Sequence, residues 1–321
     1  MTTFRWGILG TGAIATQFTE GLKVAEGHVA AAVGSRTQAS ADAFAGRHGI
    51  ERAFGTYADL AADDELDAVY VATPHSRHLE DSLLCIGAGT PVLCEKPLAL
   101  SEAQGRRMVE AAREQGVFLM EAMWTRFNPV MGALRAMLAE GTLGEPRQLF
   151  ADFGFRTEFD AAGRHFDPAL GGGALLDVGV YCIALGRMVF GADPEALTGL
   201  ATLGETGVDE QCVMSMRYPG GGLAMLSSAV RTETPQEAVL SCTGGRVRIP
   251  SFWCPDRLII DDEEHLFDIA GNGYHYQALE VAERVRAGEV ESPLLPHEES
   301  LAVLRTMDTL RGEWGVRYPG E

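Results

Sequence analysis

Arg5-Trp6-Gly7-Ile8-Leu9-Gly10-Thr11-Gly12-Ala13-Ile14-Ala15 is the stretch on which the fold turns. Arg5 to Leu9 reads as a short strand that runs into G-x-G-x-x-A, and a helix follows to about Val24. Gly10 permits the tight turn, Gly12 lets a pyrophosphate approach the backbone, and Ala15 allows close helix–strand packing. The helix N-terminus adds N–H donors and partial positive charge, so Gly10, Thr11, Gly12, Ala13 and Ile14 are candidate dinucleotide contacts. A second strand, His28 to Gly34, completes the setting the motif requires. That strand ends in Gly34-Ser35-Arg36-Thr37, with no acid for a ribose 2′-hydroxyl. Ser35 and Arg36 suit a 2′-phosphate, which favours NADP(H) and leaves NAD(H) open. The plainer reading of Arg36 is a solvated loop arginine.

Outward from this unit, strands and helices alternate. Helices are predicted at Ala39–His48 and Tyr57–Ala62. A strand Leu66–Ala72 runs into Thr73-Pro74-His75-Ser76-Arg77-His78 and a helix to about Gly87. The strand Pro91–Cys94 is followed by Glu95-Lys96-Pro97, a helix from the cap Ser101 to about Gln115, and a strand Val117–Glu121. Such alternation means an α/β doubly wound parallel sheet. Polar groups gather at its strand ends: Gly10–Gly12, Ser35–Arg36, Thr73–His78, Glu95–Lys96 and Glu121. Open α/β sheets place their ligands on that edge. Lys96 is therefore either a surface charge after a strand or a positioned acid/base. Pro97 pushes it out of the helical region, and a tight functional turn predicts a cis Lys96–Pro97 bond. Glu95 reads as a cofactor contact or loop anchor. His75 and His78 lack a further ligand at metal spacing, so no metal is expected. Thr73, Pro74, His75 and His78 read instead as cofactor contacts, with capping or surface roles as the alternative.

The second half changes character. A helix over 126–140 buries Val130, Leu134, Met137 and Leu138 on one face, and Gly141, Gly144 and Pro146 end it. Strand Gln148–Phe155 leads into a polar loop, Arg156 to Leu170, containing Arg164, His165 and Asp167. Gly171-Gly172-Gly173 opens a helix to about Phe190. On it, Asp177 and Tyr181 stand four apart and share a face. They are either a structurally satisfied aspartate beside a core tyrosine or members of a site. Strands at Ala196–Leu203, Gln211–Tyr218, Leu223–Val230, Ala238–Cys242, Arg246–Ile249 and Leu258–Ile260 make an antiparallel sheet. Its hairpins are Pro219-Gly220-Gly221-Gly222 and Thr243-Gly244-Gly245. Tyr274–Arg286 and His297–Trp314 are the last helices, and Tyr274-His275-Tyr276 is either core or site.

The 321 residues suggest about two domains. A net charge of −19 argues against a nucleic-acid partner. The six cysteines lie scattered, without C-x-x-C spacing, as in a reduced cytoplasmic protein. No apolar run is expected to reach the roughly 18 residues of a membrane span, and the strand beginning soon after Met1-Thr2-Thr3 leaves no room for a signal peptide.

Taken together, Gly10-Thr11-Gly12-Ala13-Ile14-Ala15, Ala72 to His78 and Glu95-Lys96-Pro97-Leu98 resemble the glucose–fructose oxidoreductase / inositol dehydrogenase (Gfo/Idh/MocA) family. Phe118 to Pro129, Gly171 to Cys182, Ser292-Pro293 and Pro296-His297-Glu298-Glu299 are most similar to its dimeric dihydrodiol dehydrogenase / NADP-dependent D-xylose dehydrogenase branch. The resemblance runs from residue 5 to about 318. It implies a Rossmann domain (1–123), then a substrate and oligomerisation α+β domain (124–321) on a large open, mostly antiparallel sheet. The C-terminal helix is a candidate to pack back on the first domain. It also implies a homodimer or higher homo-oligomer formed through that sheet. Lys96 would be catalytic, with Asp177 and Tyr181 flanking the nicotinamide. Tyr181 replaces the histidine of many members, as that branch does, and His75 stands where many relatives have asparagine. Trp124 and Arg126 would contact cofactor and line the pocket; Phe155 is placed beside the substrate by its position in the chain, not by the resemblance.

The expected activity is hydride transfer between NADP(H) and a secondary alcohol or carbonyl of a sugar or cyclic diol. One group must manage a proton at the substrate oxygen. Tyr181 is the first candidate, with Lys96 favouring its phenolate or bonding the oxygen directly, and Asp177 orienting hydroxyls or Lys96. A non-catalytic dinucleotide sensor is the rival from another class, and a hydrolase using bound NAD is a third reading.

Overall fold

Val69, Tyr70, Val71, Val92, Leu93 and Cys94 are wholly buried, as strands covered on both faces must be. The computed structural model describes residues 2–321; Met1, at the head of the N-terminal run, lies outside them. Its first sheet is built from β1 (Phe4–Leu9), β2 (His28–Gly34), β3 (Arg52–Phe54), β4 (Ala68–Val71), β5 (Val92–Glu95) and β6 (Leu119–Ala122). The order is β3-β2-β1-β4-β5-β6, parallel throughout. Between the strands run α1 (Ala13–Leu22), α2 (Gln38–His48), α3 (Tyr57–Ala61), α4 (His78–Gly87) and α5 (Glu102–Gln115). The order reverses between β1 and β4, which makes that edge the topological switch point.

The second sheet has eight strands in the order β14-β13-β12-β11-β7-β10-β9-β8. These are β7 (Pro146–Gly154), β8 (Ala196–Leu203), β9 (Asp209–Arg217), β10 (Leu223–Ala229), β11 (Ala238–Cys242), β12 (Arg246–Ile249), β13 (Arg257–Ile260) and β14 (Glu263–Leu266). Its pairings are antiparallel except β7 with β10 at the centre, which are parallel. One face carries Leu149, Met214, Met216, Ala224, Leu226 and Leu240, all buried. The helix α6 (Pro129–Glu140) precedes the sheet, capped by Asn128, whose side chain accepts from Val130 N–H.

The compact units do not follow a single cut at 123/124. The first runs through Ala99 and adds Ala103–Trp124 and Ala270–Glu298; the second comprises Leu100–Glu102, Thr125–Ile269 and Glu299–Glu321. The penultimate helix, α8 (His275–Arg286), is what joins the first unit, because it packs on α1. Asn272 there donates to the Gln17 carbonyl at 2.8 Å. The last helix, α9 (His297–Trp314), belongs to the second unit from Glu299 onward.

The hydropathy expectation needs correcting. Pro168–Phe190 is 23 residues long and contains an 18-residue window of mean hydropathy 1.6, enough to cross a membrane by length and composition. Yet 83% of that window is buried inside the protein, so it is a core helix. Interspersed glycines and short polar residues hide its apolar character when only unbroken runs are counted.

Candidate active site

The β1–α1 turn is shaped as a cradle. Gly10 has φ +109, and a Cβ there would lie 2.7 Å from the Ala72 carbonyl oxygen. Only glycine tolerates both. A Cβ on Gly12 would meet nothing within 4 Å, so the space above the turn is open. Helix α1 has no side-chain cap at Gly12 and no acid in its first turn. Its N–H groups are thus left to an anion. Beside Gly10, Thr73 is buried and its Oγ1 has no hydrogen-bond partner among the described residues, the kind of orphan a ligand satisfies. At the end of β2, Ser35 Oγ lies 3.4 Å from Thr11 Oγ1, and Arg36 is exposed. These residues fit a dinucleotide, and the lack of an acid at Ser35–Arg36 fits one bearing a 2′-phosphate.

At the end of β5 the Lys96–Pro97 bond is cis, as expected from the sequence. The backbone of this turn ends on buried side chains. Glu95 Oε2 accepts from Lys96 N–H at 3.2 Å. Glu121 Oε1, on β6, accepts from Leu98 N–H at 2.9 Å. The Cys94 thiol donates to the Leu98 carbonyl at 3.7 Å. His78 Nδ1 lies 2.8 Å from the Pro97 carbonyl and its Nε2 3.0 Å from that of Thr73. Lys96 itself is half-buried.

His78 requires a correction. Expected at the cofactor, it is completely buried with both ring nitrogens turned to backbone carbonyls. It buckles the Thr73 loop to the Lys96 turn rather than facing a ligand. Burial lowers its pKa, against the pull of both carbonyls. His75 is half-buried with its ring centroid 5.6 Å from that of His78, and Pro74 is exposed. Burial pushes the Glu95 carboxyl up to about 7; the charge of Lys96 and a hydrogen bond from Tyr70 act against it. Trp124 is buried and stacks on Tyr274 at 4.3 Å, so the aromatic cluster at the start of α8 contributes one ring to the packing of Trp124. His275 is buried and packs on Tyr276 at 4.0 Å.

In the second unit, Asp177 does not sit on a regular helix. Leu175–Gly179 is a π-helical turn that runs into α7 (Val180–Phe190), so the four-residue spacing to Tyr181 spans a widened turn. Asp209 anchors its start: Oδ2 accepts from Leu175 N–H at 2.7 Å, and a Cβ on Gly173 would press on Oδ1 at 2.5 Å. Burial raises the Asp209 carboxyl to about 7. The Tyr318 hydroxyl donates to the Gly172 carbonyl at 2.6 Å.

Asp177 is buried, and Oδ1 accepts from Arg164 Nη1 at 3.1 Å, with His165 Nε2 3.5 Å from Oδ2. Phe155 packs edge-on against His165 at 5.3 Å. Tyr181, also buried, lies 5.3 Å from the Phe153 ring, which stacks on Trp253 at 5.1 Å. Arg126 is half-buried, which lowers its pKa against the charge of Glu299. Sequence reasoning missed Arg164 and His165 as partners of Asp177, although both stood in the polar loop ahead of it. It also missed Tyr70, whose hydroxyl donates to Glu95. The signal there was a lone polar tip inside Ala68-Val69-Tyr70-Val71.

Residues 4–123 match the oxidoreductase family with the NAD-binding Rossmann fold, and residues 131–248 match the GFO/IDH/MocA C-terminal domain. Over 328 residues the chain is 38% identical to the trans-1,2-dihydrobenzene-1,2-diol dehydrogenase of Mus musculus, with 98% of each covered. The chain belongs to the Gfo/Idh/MocA oxidoreductase family. Another relative with the same enzyme name, from Danio rerio, is 39% identical with 98% of each chain covered. The 3-ketoreductase of Actinomadura kijaniata, solved with NADP and TDP-benzene, has a TM-score of 0.88 at 27% identity, covering 97% of this chain and 98% of its own. Levoglucosan dehydrogenase, solved with NADH and L-sorbose, shares the fold at a TM-score of 0.87 and 18% identity, with 98% and 97% covered. This Gfo/Idh/MocA chain is accordingly a nicotinamide-dependent dehydrogenase of the CH–OH class, and the sensor reading gives way.

Proposed function

We propose that the protein transfers a hydride between NADP(H) and a secondary alcohol or its carbonyl, on a cyclic diol or a sugar. One observation carries this. Lys96 stands immediately after β5 of the same sheet whose β1–α1 turn forms the cradle, and its backbone is fixed by buried groups. The names of the relatives, a diol dehydrogenase and a ketoreductase solved with NADP, agree with it. NADP(H) is preferred, held by Gly10–Ile14, Thr73, Pro74 and His75, with Ser35 and Arg36 at its 2′-phosphate.

When bound, the nicotinamide supplies or takes the hydride. The chain must then move one proton at the substrate oxygen, because a free alkoxide is too costly at neutral pH. Tyr181 is assigned that proton, with Lys96 supplying positive charge toward the developing oxyanion. Asp177 orients substrate hydroxyls through the Arg164–His165 group, Trp124 and Arg126 are assigned to the cofactor, and Phe155 to the substrate. Incubation with NADP⁺ and a panel of cyclic diols and aldoses should yield reduced-nicotinamide absorbance with at least one of them. A silent panel, in the presence of demonstrable NADP⁺ binding, would sink the proposal.

The exposed face of the second sheet carries Phe150, Leu200, Val213, Leu223 and Met225, from 41% to 77% exposed. Met225 is registered with Phe150 and Leu200 with Val213, making a contiguous apolar surface. A second copy of the chain covers it in this reading, and light scattering that finds a clean monomer would remove it. The free cysteines and the net charge of −19 fit a cytoplasmic protein that takes a small molecule rather than nucleic acid or membrane.

A further inference from the structure

Tyr70 lies on β4 with no exposed surface, stacked on Phe18 of α1 at 3.9 Å and 17°. It is registered beside Leu93, which places its hydroxyl under the end of β5, where it donates to Glu95 Oε1. The other carboxyl oxygen takes Lys96 N–H. Glu95 is only 4% exposed, so its charge is felt mainly by its neighbours. Those are Lys96 just after it, Tyr70 from β4 and Glu121 from β6. Phe18, the α1 ring behind Tyr70, carries no charge. A hydroxyl in the middle of an apolar strand is costly unless it has a dedicated partner.

We propose that Tyr70 and Glu95 are positioning residues: together they keep a negative charge buried behind Lys96, and its gain or loss with pH governs turnover. The inference rests on reading Lys96 as catalytic. Burial raises the Glu95 carboxyl toward neutrality, while Lys96 and the Tyr70 hydroxyl favour its ionised form. The pair is therefore charged above neutrality and discharged below it, and this places an acid limb on the pH–rate profile.

The test is the pH profile of kcat for the wild type, Tyr70→Phe and Glu95→Gln, alongside ¹³C NMR titration of the apo-protein labelled in glutamate. Tyr70→Phe keeps the ring stack but removes a donor to the carboxylate, so the acid limb should move to higher pH by about one unit. Glu95→Gln should abolish the limb. A carboxyl resonance absent from Glu95→Gln should titrate near neutrality, and its midpoint should rise in Tyr70→Phe. A limb that does not move in Tyr70→Phe, or that persists in Glu95→Gln, would overturn the inference. Turnover surviving in Lys96→Met would instead sink the reading of Lys96 beneath it, whatever Tyr70→Phe does.

Discussion

The backbone around Lys96 ends on buried side chains, Glu95, Glu121 and His78, whereas Asp177 ends on Arg164, whose side chain is 59% exposed. The first arrangement lets the turn take only one position, since each of its polar groups would be costly to bury unpaired. The second rests partly on a solvated ion pair, which is worth little in stability and is easily re-made. The difference matches the division of labour in a dehydrogenase. In the proposed roles Lys96 answers to the cofactor, and the loop that holds Asp177 answers to the substrate.

The comparison can be broken or sharpened by mutation. The largest effect is expected from Lys96→Met, which should abolish turnover while NADP(H) still binds, as measured by fluorescence titration. Wild-type-like activity would remove Lys96 from the mechanism. Tyr181→Phe should lower kcat by about 10²–10⁴ if its hydroxyl does acid–base work, and a loss below about threefold would move that role to Lys96 alone. Arg36→Ala should weaken NADP(H) by roughly 10- to 100-fold, as loss of a charged hydrogen bond does, and leave NAD(H) nearly unchanged. Equal loss of both would reject the phosphate contact. Smallest is Arg164→Ala, expected to cost less than about 1 kcal/mol in chemical denaturation while raising the substrate KM. A destabilisation as large as that of a core mutation would show that the loop is as rigidly built as the Lys96 turn.

Much of the first unit was legible because its physics is local. Buried parallel strands are unbroken apolar runs, and the glycines of the cradle are required by the turn itself. Two of the edge strands escaped for the opposite reason. Arg52–Phe54 is half-buried and Glu263–Leu266 fully exposed, so neither has an apolar pattern to read. Lys96, Asp177 and Tyr181 could be singled out as residue types in unusual settings, but their partners could not. Glu121 reaches Leu98 from a neighbouring strand, and His78 turns inward only because two carbonyls await it. The parallel pairing of β7 with β10 was equally hidden, since parallel and antiparallel strands share the same alternation. The return of Ala270–Glu298 to the first unit rests on contacts with α1, more than two hundred residues earlier in the chain.

That central parallel pair has a further consequence. After β7 the chain leaves the middle of the sheet, passes through the π-helical turn and α7, and re-enters at the far edge as β8. It then returns inward through β9 and β10 until β10 meets β7. The segment bearing Asp177 and Tyr181 is thus the helical crossover of the sheet, stretched above strands that had yet to be laid down when it was made, whereas β10 passes β7 to reach β11 through a short loop. One crossover can roof only one side. The same topological step that carries the candidate proton donor to its place leaves the opposite side of β7–β10 without a roof.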